Sequence, residues 1–329
     1  MTVSRFLPGL FVLVIGALLA RALGLATGVN HLLVAIALGF VFTNVVGVPD
    51  RLEAGIATHS LWLGAGIVLM GASLTLGTIL EVGALVLLVV VLVTALTVTI
   101  VELLARNVFG LAERFGSLLA AGAGICGVSA VVAVAGAIRA REEQIAYAAA
   151  TVLLFDAVTI VVYPIVGSVL GLSDVVFGIW AGVSMFSTGP VVAVGFAHSE
   201  VAGQWATMTK LARNALIGVV VIAYASYYAR TESGAGGRLS LRTLWDEFPK
   251  FVLGFLALVL VASAGVFSAS QQASIENAYN WLFVLAFVGL GTEIQFQELR
   301  RAGVTPALAV LIAFVVVSTL SLAVLTLLF

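Results

Sequence analysis

Two acidic residues lie inside apolar stretches of the chain, where a carboxylate is costly to bury. Asp156 stands within TVLLFDAVTIVVYP, and Glu293 follows two glycines in GLGTE. Carboxylates at such positions face a cavity, pair across helices or exchange protons, and they mark ion pathways in membrane proteins. We therefore expect one of these acids to couple function to an ion, with Asp156 as the proton carrier. For Glu293 the alternative is a carboxylate that reaches water at a helix end.

A glycine-rich segment, GAGICGVSA at 122–130, is the second candidate. The spacing of Gly122, Gly124 and Gly127 matches GxGxxG, but a dinucleotide site needs a preceding strand and a soluble βαβ unit. Two interpretations remain. The glycines break a helix and expose carbonyls to a substrate or ion, with Cys126 and Ser129 as additional ligands. Alternatively, they allow close helix packing.

Polar residues with two nearby cations form a third candidate. Ser187 and Thr188 interrupt the apolar run VSMFSTGPVV, and Lys210 and Arg213 follow on one face of a helix. Cations beside a polar island attract an anion. The alternative is that both side chains snorkel to the membrane surface from a helix end.

No metal centre or cofactor is expected. The single cysteine and three separated histidines lack ligand spacing, and no nucleophile–histidine–acid set indicates an enzyme. The coupling ion is a proton or sodium. A sodium site would draw oxygens from Ser129, Thr292 and Glu293.

The elements that position these residues must lie in lipid. Of 329 residues, 62% are hydrophobic and 9% charged, and the mean hydropathy is +1.21. Soluble domains carry roughly 25% charged residues. The lipid bilayer is thus one partner, whereas a net charge of −1 excludes a nucleic-acid partner.

Eleven apolar runs are long enough to cross ~30 Å of hydrocarbon as helices. The sequence thus predicts an all-α polytopic membrane protein with a single transmembrane domain. The predicted spans are 6–24, 30–48, 58–78, 82–105, 117–138, 145–171, 176–197, 207–229, 248–268, 279–297 and 303–328.

Basic residues predict the orientation in the cell (plasma) membrane. Eleven spans place ten lysines and arginines on one side and five on the other. The amino terminus and the connection 230–247 are then cytoplasmic, and the carboxyl terminus is outside. A re-entrant 176–197 would reverse this orientation with a weaker asymmetry. The first span also resembles a signal peptide.

Residues 1–27 form an additional helix before two five-helix repeats, 28–172 and 173–329. Because five is odd, the second repeat is inverted. Pairing the glycine-rich segments predicts that the helices around Gly124–Ser129 and Gly289–Glu293 are discontinuous and cross. A competing sequence similarity joins 71–83 to 289–303 at an offset of 220 residues, which does not fit five-helix repeats. We interpret it as two helices that end with similar residues.

The segments GAGICGVSAVVAVAGAIRAREEQ, YPIVGSVLGLSDVVFGIWAGVSM and ATMTKLAR, with GLGTEIQFQELRRAG, resemble the YeiH-type sulfate exporter family. The resemblance covers most of the chain. It implies the fold of the sodium/proton antiporter and bile-acid symporter superfamily, with inverted repeats and discontinuous helices. The chain departs from the family's polar run at Phe186–Pro190, and family members usually lack an acid at Asp156.

We expect a secondary transporter that moves a small anion, such as a sulfur oxyanion or organosulfonate, by ion-coupled alternating access. The alternatives are a monovalent cation/proton antiporter, a passive channel and a membrane scaffold without transport. Homodimer formation is left open by the sequence.

Overall fold

A computed structural model describes residues 5–74, 76–231 and 250–329, and every regular element in these residues is a helix. The all-helical prediction is therefore confirmed for this part of the chain. Most of the predicted connection 230–247 lies outside the described residues. The chain divides into two compact units, Met1–Ala84 with Lys250–Phe296, and Leu85–Pro249 with Gln297–Phe329.

The described residues form sixteen α-helices. They are α1 Leu7–Thr27, α2 His31–Val41, α3 Asp50–Ile56, α4 His59–Met70, α5 Leu76–Leu103, α6 Glu113–Ala121, α7 Val128–Ile138, α8 Glu142–Val169, α9 Asp174–Ser184, α10 Thr188–His198, α11 Glu200–Asn214, α12 Ile217–Thr231, α13 Phe251–Ser263, α14 Ala269–Glu293, α15 Phe296–Arg300 and α16 Val304–Leu328. Single π-helical turns extend α2, α5 and α6 to Val46, Val108 and Cys126.

Six helical segments of the described chain are long and apolar enough to cross a membrane. They are Leu7–Thr27, Asp50–Ser73, Gly83–Val108, Glu142–Val169, Glu200–Tyr228 and Val304–Leu328. Four shorter apolar helices accompany them, among them α7 and α9.

Polar caps begin several of these helices inside otherwise apolar sequence. The Asn30 side chain accepts the Leu32 N–H at 2.8 Å, and Ser173 and Ser268 cap α9 and α14 in the same way. Gly28 ends α1 in the left-handed conformation, with φ of 74°.

In the first unit, α14 packs against α2 and α4. A Cβ on Gly39 would lie 2.0 Å from the Val288 carbonyl oxygen, and one on Gly291 would lie 2.1 Å from that of Ile36. The glycines therefore allow two backbones to touch. The predicted interruption at Gly289–Glu293 is wrong, because α14 runs unbroken through it to Glu293.

In the second unit, α6 and α7 form a helical hairpin, which we call hairpin 1 (113–138). Arg114 near its start donates from Nη1 to the carbonyl of Arg139 just past its end, at 3.5 Å. Nearer the turn, a Cβ on Gly122 would lie 2.8 Å from Val131. The predicted single span 117–138 is therefore wrong, because the chain turns back at Gly127.

The helices α9 and α10 form hairpin 2 (174–198). Its two ends meet where His198 Nε2 lies 3.6 Å from Asp174 Oδ1 and the His198 ring stacks on Phe177. Both arms pack on α11, with Gly182 and Gly195 each against Ala206. The predicted span 176–197 is thus a hairpin. The predicted interruption at Gly124–Ser129 is confirmed, since α6 with its π-helical turn ends at Cys126 and α7 begins at Val128.

Candidate functional site

The tips of the two hairpins meet within the second unit. Gly127, at the turn of hairpin 1, has φ of 71° and ψ of −137°, a conformation that favours glycine. A Cβ there would lie 2.0 Å from Ser187 Oγ at the turn of hairpin 2. Both a backbone constraint and a contact constraint therefore require glycine at position 127.

Lys210, on α11, is fully buried between the tips. Its Nζ donates to the Ile125 carbonyl of hairpin 1 at 2.6 Å and to the Met185 carbonyl of hairpin 2 at 3.2 Å. A third, shorter bond goes to the carbonyl of Phe186. All three ammonium protons are used, and they join both tips.

Arg213, one helical turn further along α11, makes the same kind of connection and is 1% exposed. Its Nε and Nη2 donate to the carbonyls of Gly124 and Ala123, at 2.7 and 2.6 Å. Its Nη1 donates to the carbonyl of Met185 at 2.7 Å. We call Lys210 and Arg213 together the cation clamp.

The cation clamp rules out snorkelling for these two residues, because both charged groups lie inside the protein. It also explains how the tips are stabilised. The first arm of each hairpin ends at the tip, where its last carbonyls have no intrahelical partner and the helix dipole is negative. Two cations supply the missing donors and oppose that dipole.

Asp156 lies beside the clamp on α8 and is 3% exposed. Its Oδ1 accepts the Ser187 N–H at 3.0 Å, and its carboxylate lies within electrostatic range of Lys210. Ser187 is the residue immediately before α10. The acid thus contacts the tip of hairpin 2, 31 residues away in sequence.

Thr188 and Asn214 complete the polar surroundings. Asn214 Nδ2 donates to Thr188 Oγ1 at 3.0 Å, and Asn214 is 4% exposed. Its Oδ1 has no hydrogen-bond partner among the described residues.

The second arms, α7 and α10, begin at the same two tips. Because Gly127 contacts Ser187, the amino-terminal ends of both helices converge there. Helix amino termini carry partial positive charge and free N–H groups, so the arrangement suits a negatively charged group.

Comparison with known proteins places the chain in a family. The model of a family described as "Conserved hypothetical protein 698" matches residues 7–310. A UPF0324 membrane protein of Nitratidesulfovibrio vulgaris is 32% identical over 275 residues, which are 82% of this chain and 76% of that relative. The chain belongs to the UPF0324 membrane protein family.

Two further UPF0324 membrane proteins extend this similarity. One from Clostridium tetani is 30% identical over 87% of this chain and 88% of its own length. One from Bacillus cereus is 30% identical over 96% of this chain and 90% of its own length. No solved structure gives a significant match.

Cys126 and Ser129 lie at and beyond the turn of hairpin 1 in this UPF0324 protein. The Cys126 side chain is buried and interacts with the side chain of Ser129, which is exposed. Of the predicted site residues, eight thus lie around the two tips. They are Gly124, Cys126, Gly127, Asp156, Ser187, Thr188, Lys210 and Arg213. Ser129 flanks them.

Thr292 and Glu293 belong to the first unit of the UPF0324 protein, whereas Ser129 belongs to the second. Thr292 Oγ1 donates to the Gly289 carbonyl at 2.7 Å. Glu293 Oε1 lies 3.0 Å from His59 Nε2, and its side chain is 48% exposed. Glu293 therefore reaches the surface, and its histidine partner, 234 residues away, had no sequence signal.

Proposed function

We propose that this protein is a secondary transporter that moves a small anion by ion-coupled alternating access. The observation that supports this most directly is the meeting of two helical hairpins at a polar, buried point with unwound backbone. Discontinuous helices of this kind form substrate sites in many secondary transporters, where helix ends supply charge and hydrogen-bonding groups.

In this proposal both hairpins are re-entrant. The arms α7, α9 and α10 have 11 residues each, about 16 Å at 1.5 Å per residue, which is half of the hydrocarbon thickness. The 28-residue α8 between the hairpins is long enough to cross. Hairpin 1 therefore enters from one face of the membrane and hairpin 2 from the other, so that their tips meet at its middle.

In this topology the six long segments and the helices 31–46, 251–263 and 269–293 make nine crossings, and the two hairpins are re-entrant. The basic residues fit it. Twelve of the fifteen lysines and arginines fall on the side of the amino terminus, Arg21 falls on the other, and the two of the cation clamp are buried. The positive-inside rule then makes the amino terminus and 230–247 cytoplasmic and the carboxyl terminus external. The twelve are Arg5, Arg51, Arg106, Arg114, Arg139, Arg141, Arg230, Arg238, Arg242, Lys250, Arg300 and Arg301.

We further propose that 28–172 and 173–329 are inverted repeats whose elements follow a permuted order. Segments 31–46, 50–73 and 83–108, shifted by 220 residues, overlay 251–263, 269–293 and 304–328. At a shift of 60, hairpin 1 overlays hairpin 2, and VVAV stands at both 131–134 and 191–194. The similarity at an offset of 220 residues then reflects a true repeat.

The charges at the tips favour an anion over sodium. The carbonyls of Ala123–Ile125 and Met185–Phe186 are the oxygens that an unwound helix would offer to a cation, but the cation clamp already binds them. Two buried cations face one buried carboxylate, Asp156. With two helix amino termini added, the local charge is positive.

The narrower assignments follow from the sequence resemblance. They are membership of the YeiH-type sulfate exporters, a place in the sodium/proton antiporter and bile-acid symporter superfamily, and a sulfur oxyanion or organosulfonate as substrate. None of these is needed for the proposal of an anion site at the tips.

Flux measurements in proteoliposomes test the proposal. We expect saturable uptake of a labelled monovalent oxyanion that depends on an imposed proton or sodium gradient. A non-saturating flux would indicate a channel, and exchange of cations against protons would indicate the antiporter. Absence of flux for every solute tested would favour a membrane scaffold without transport. Each of the three outcomes contradicts the proposal.

A further inference from the structure

The Asp156 carboxylate occupies the position at the start of α10 where an external anion would bind. Its Oδ1 accepts the N–H of Ser187, the residue before the first turn of this 11-residue helix. Free N–H groups at a helix amino terminus are the usual ligands for anions in proteins. In the structure, a carboxylate of the protein itself takes one of them.

A second observation points to a ligand at the same place. The Asn214 side chain is 4% exposed, contacts Thr188 at the first turn of α10, and has an Oδ1 atom without a partner in the described part of the chain. A buried amide with unused hydrogen-bonding capacity is costly unless something binds it. Rotation of the amide turns its donors toward an anion, since its oxygen can accept from the Thr188 hydroxyl.

The charged and titratable groups around Asp156 come from several elements. Lys210 and Arg213 on α11 supply two positive charges, Cys126 stands at the tip of hairpin 1, and Tyr163 lies further along α8 itself. The helix α16, also packed nearby, contributes no titratable side chain. With Asp156 ionised, these groups carry a formal charge of +1.

We propose that the start of α10 is a binding site for a monovalent anion, and that the anion replaces the Asp156 carboxylate there when a proton neutralises it. This inference rests on the proposed transport function. The proton adds to a carboxylate oxygen and the Ser187 N–H is released. The anion accepts this N–H together with the backbone N–H of Thr188 and the Nδ2 group of the rotated Asn214 amide. One proton and one monoanion enter together, so the charge of the site stays at +1. A dianion would change it.

Binding measurements on the full chain in detergent test this coupling. The probes are nitrate and methanesulfonate as monoanions and sulfate as the dianion, titrated calorimetrically between pH 5.5 and 8 in buffers of different ionisation enthalpy. For the wild type we expect one proton taken up per monoanion and an affinity about tenfold higher for each unit that the pH falls within the linked range. Sulfate should bind more weakly than methanesulfonate.

Two variants and one control sharpen the result. Asp156→Asn should bind monoanions without proton uptake and without pH dependence. Asn214→Ala should lose about tenfold in affinity while keeping the proton linkage. Asp174→Asn, at the exposed end of hairpin 2, should behave as the wild type.

Monoanion binding by the wild type without proton uptake, or no monoanion binding at pH 5.5, would overturn the inference even if Asp156→Asn does not fold. Proton-linked binding without flux in proteoliposomes would leave the inference standing and reject transport. Flux together with anion binding that is independent of pH would support transport and reject the inference.

Discussion

At the scale of single residues, the buried cations explain how polar backbone is tolerated in an apolar chain. An unpaired ammonium or guanidinium inside a protein is unstable, and an unpaired carbonyl is costly as well. Lys210 and Arg213 remove both costs at once because six hydrogen bonds join them to the tips. They act as structural connections between hairpins, and their charge sets the local electrostatics.

Removing a clamp residue should therefore destabilise the protein strongly. We expect Lys210→Ala to lower the free energy of unfolding by about 3 kcal/mol or more, since several carbonyls are left buried without donors. Denaturant titration in mixed micelles measures this. The matched control is the exposed Arg300→Ala, expected within about 0.5 kcal/mol of the wild type. Equal stability of the two variants would show that Lys210 contributes nothing to the free energy of unfolding.

The turn of hairpin 1 offers a second test at this scale. Gly127→Ala should destabilise the protein by more than about 1 kcal/mol, because its φ is 71° and its Cβ would collide with Ser187. Gly136→Ala is the control, since a Cβ there meets nothing within 4 Å and lies in the helix α7. Thermal unfolding of both variants checks the contrast. A wild-type midpoint for Gly127→Ala would contradict the tight turn.

The residues of the two tips could be identified from the sequence, but the hydrogen bonds that they make could not. Ser187, Lys210 and Asp156 stood out because polar groups are rare in apolar runs. What each of them contacts could not be read, because hairpin 1 is about 85 residues before Lys210 in the chain. The same distance problem concealed the pairing of Glu293 with His59.

At the scale of elements, each hairpin is anchored by polar contacts to a neighbouring helix. In hairpin 2, the Tyr163 hydroxyl lies 2.6 Å from Ser184 Oγ and 3.0 Å from Ser318 Oγ, and the Tyr163 ring stacks on Trp180. In hairpin 1, Arg106 donates to Ser117. These contacts fix the first arm of each hairpin to neighbouring helices.

Loss of the Tyr163 hydroxyl should loosen hairpin 2. Tyr163→Phe keeps the ring but leaves two serine hydroxyls without this partner, so we expect a loss of about 1–2 kcal/mol in the free energy of unfolding. The exposed Tyr147→Phe on the same helix is the control. If the two variants unfold at the same denaturant concentration, the network contributes no stability.

Both hairpins were predicted as single spans for a physical reason. Two short apolar arms joined by a buried turn have the length and hydropathy of one crossing helix, and the turn residues are themselves small or apolar. Glycine in α14 misled the prediction in the opposite direction. There it serves close packing against α2, as the contact between Gly291 and Ile36 shows, and the helix does not break.

At the scale of the whole chain, composition alone established a helical membrane protein, whereas the eleven predicted spans correspond to sixteen helices in the described residues. The topology could be established only from contacts between residues distant in the sequence. The closeness of Arg114 to Arg139 and of Asp174 to His198 shows that the two ends of each of these segments lie side by side. In the proposed topology, Arg139 and Arg141 then join the cytoplasmic basic residues, and the asymmetry changes from ten against five to twelve against one.

The central claim, that two hairpins enter the membrane from opposite faces, is tested most directly by single cysteines in a Cys126→Ala background. Glu143→Cys lies in the first turn of α8 and Leu172→Cys lies just beyond its end. A membrane-impermeant maleimide is applied to intact cells and to inverted vesicles. We expect position 143 to be labelled only from the cytoplasmic side and position 172 only from outside. The reverse result, with 143 outside and 172 inside, would contradict the hairpins and restore two ordinary crossing helices.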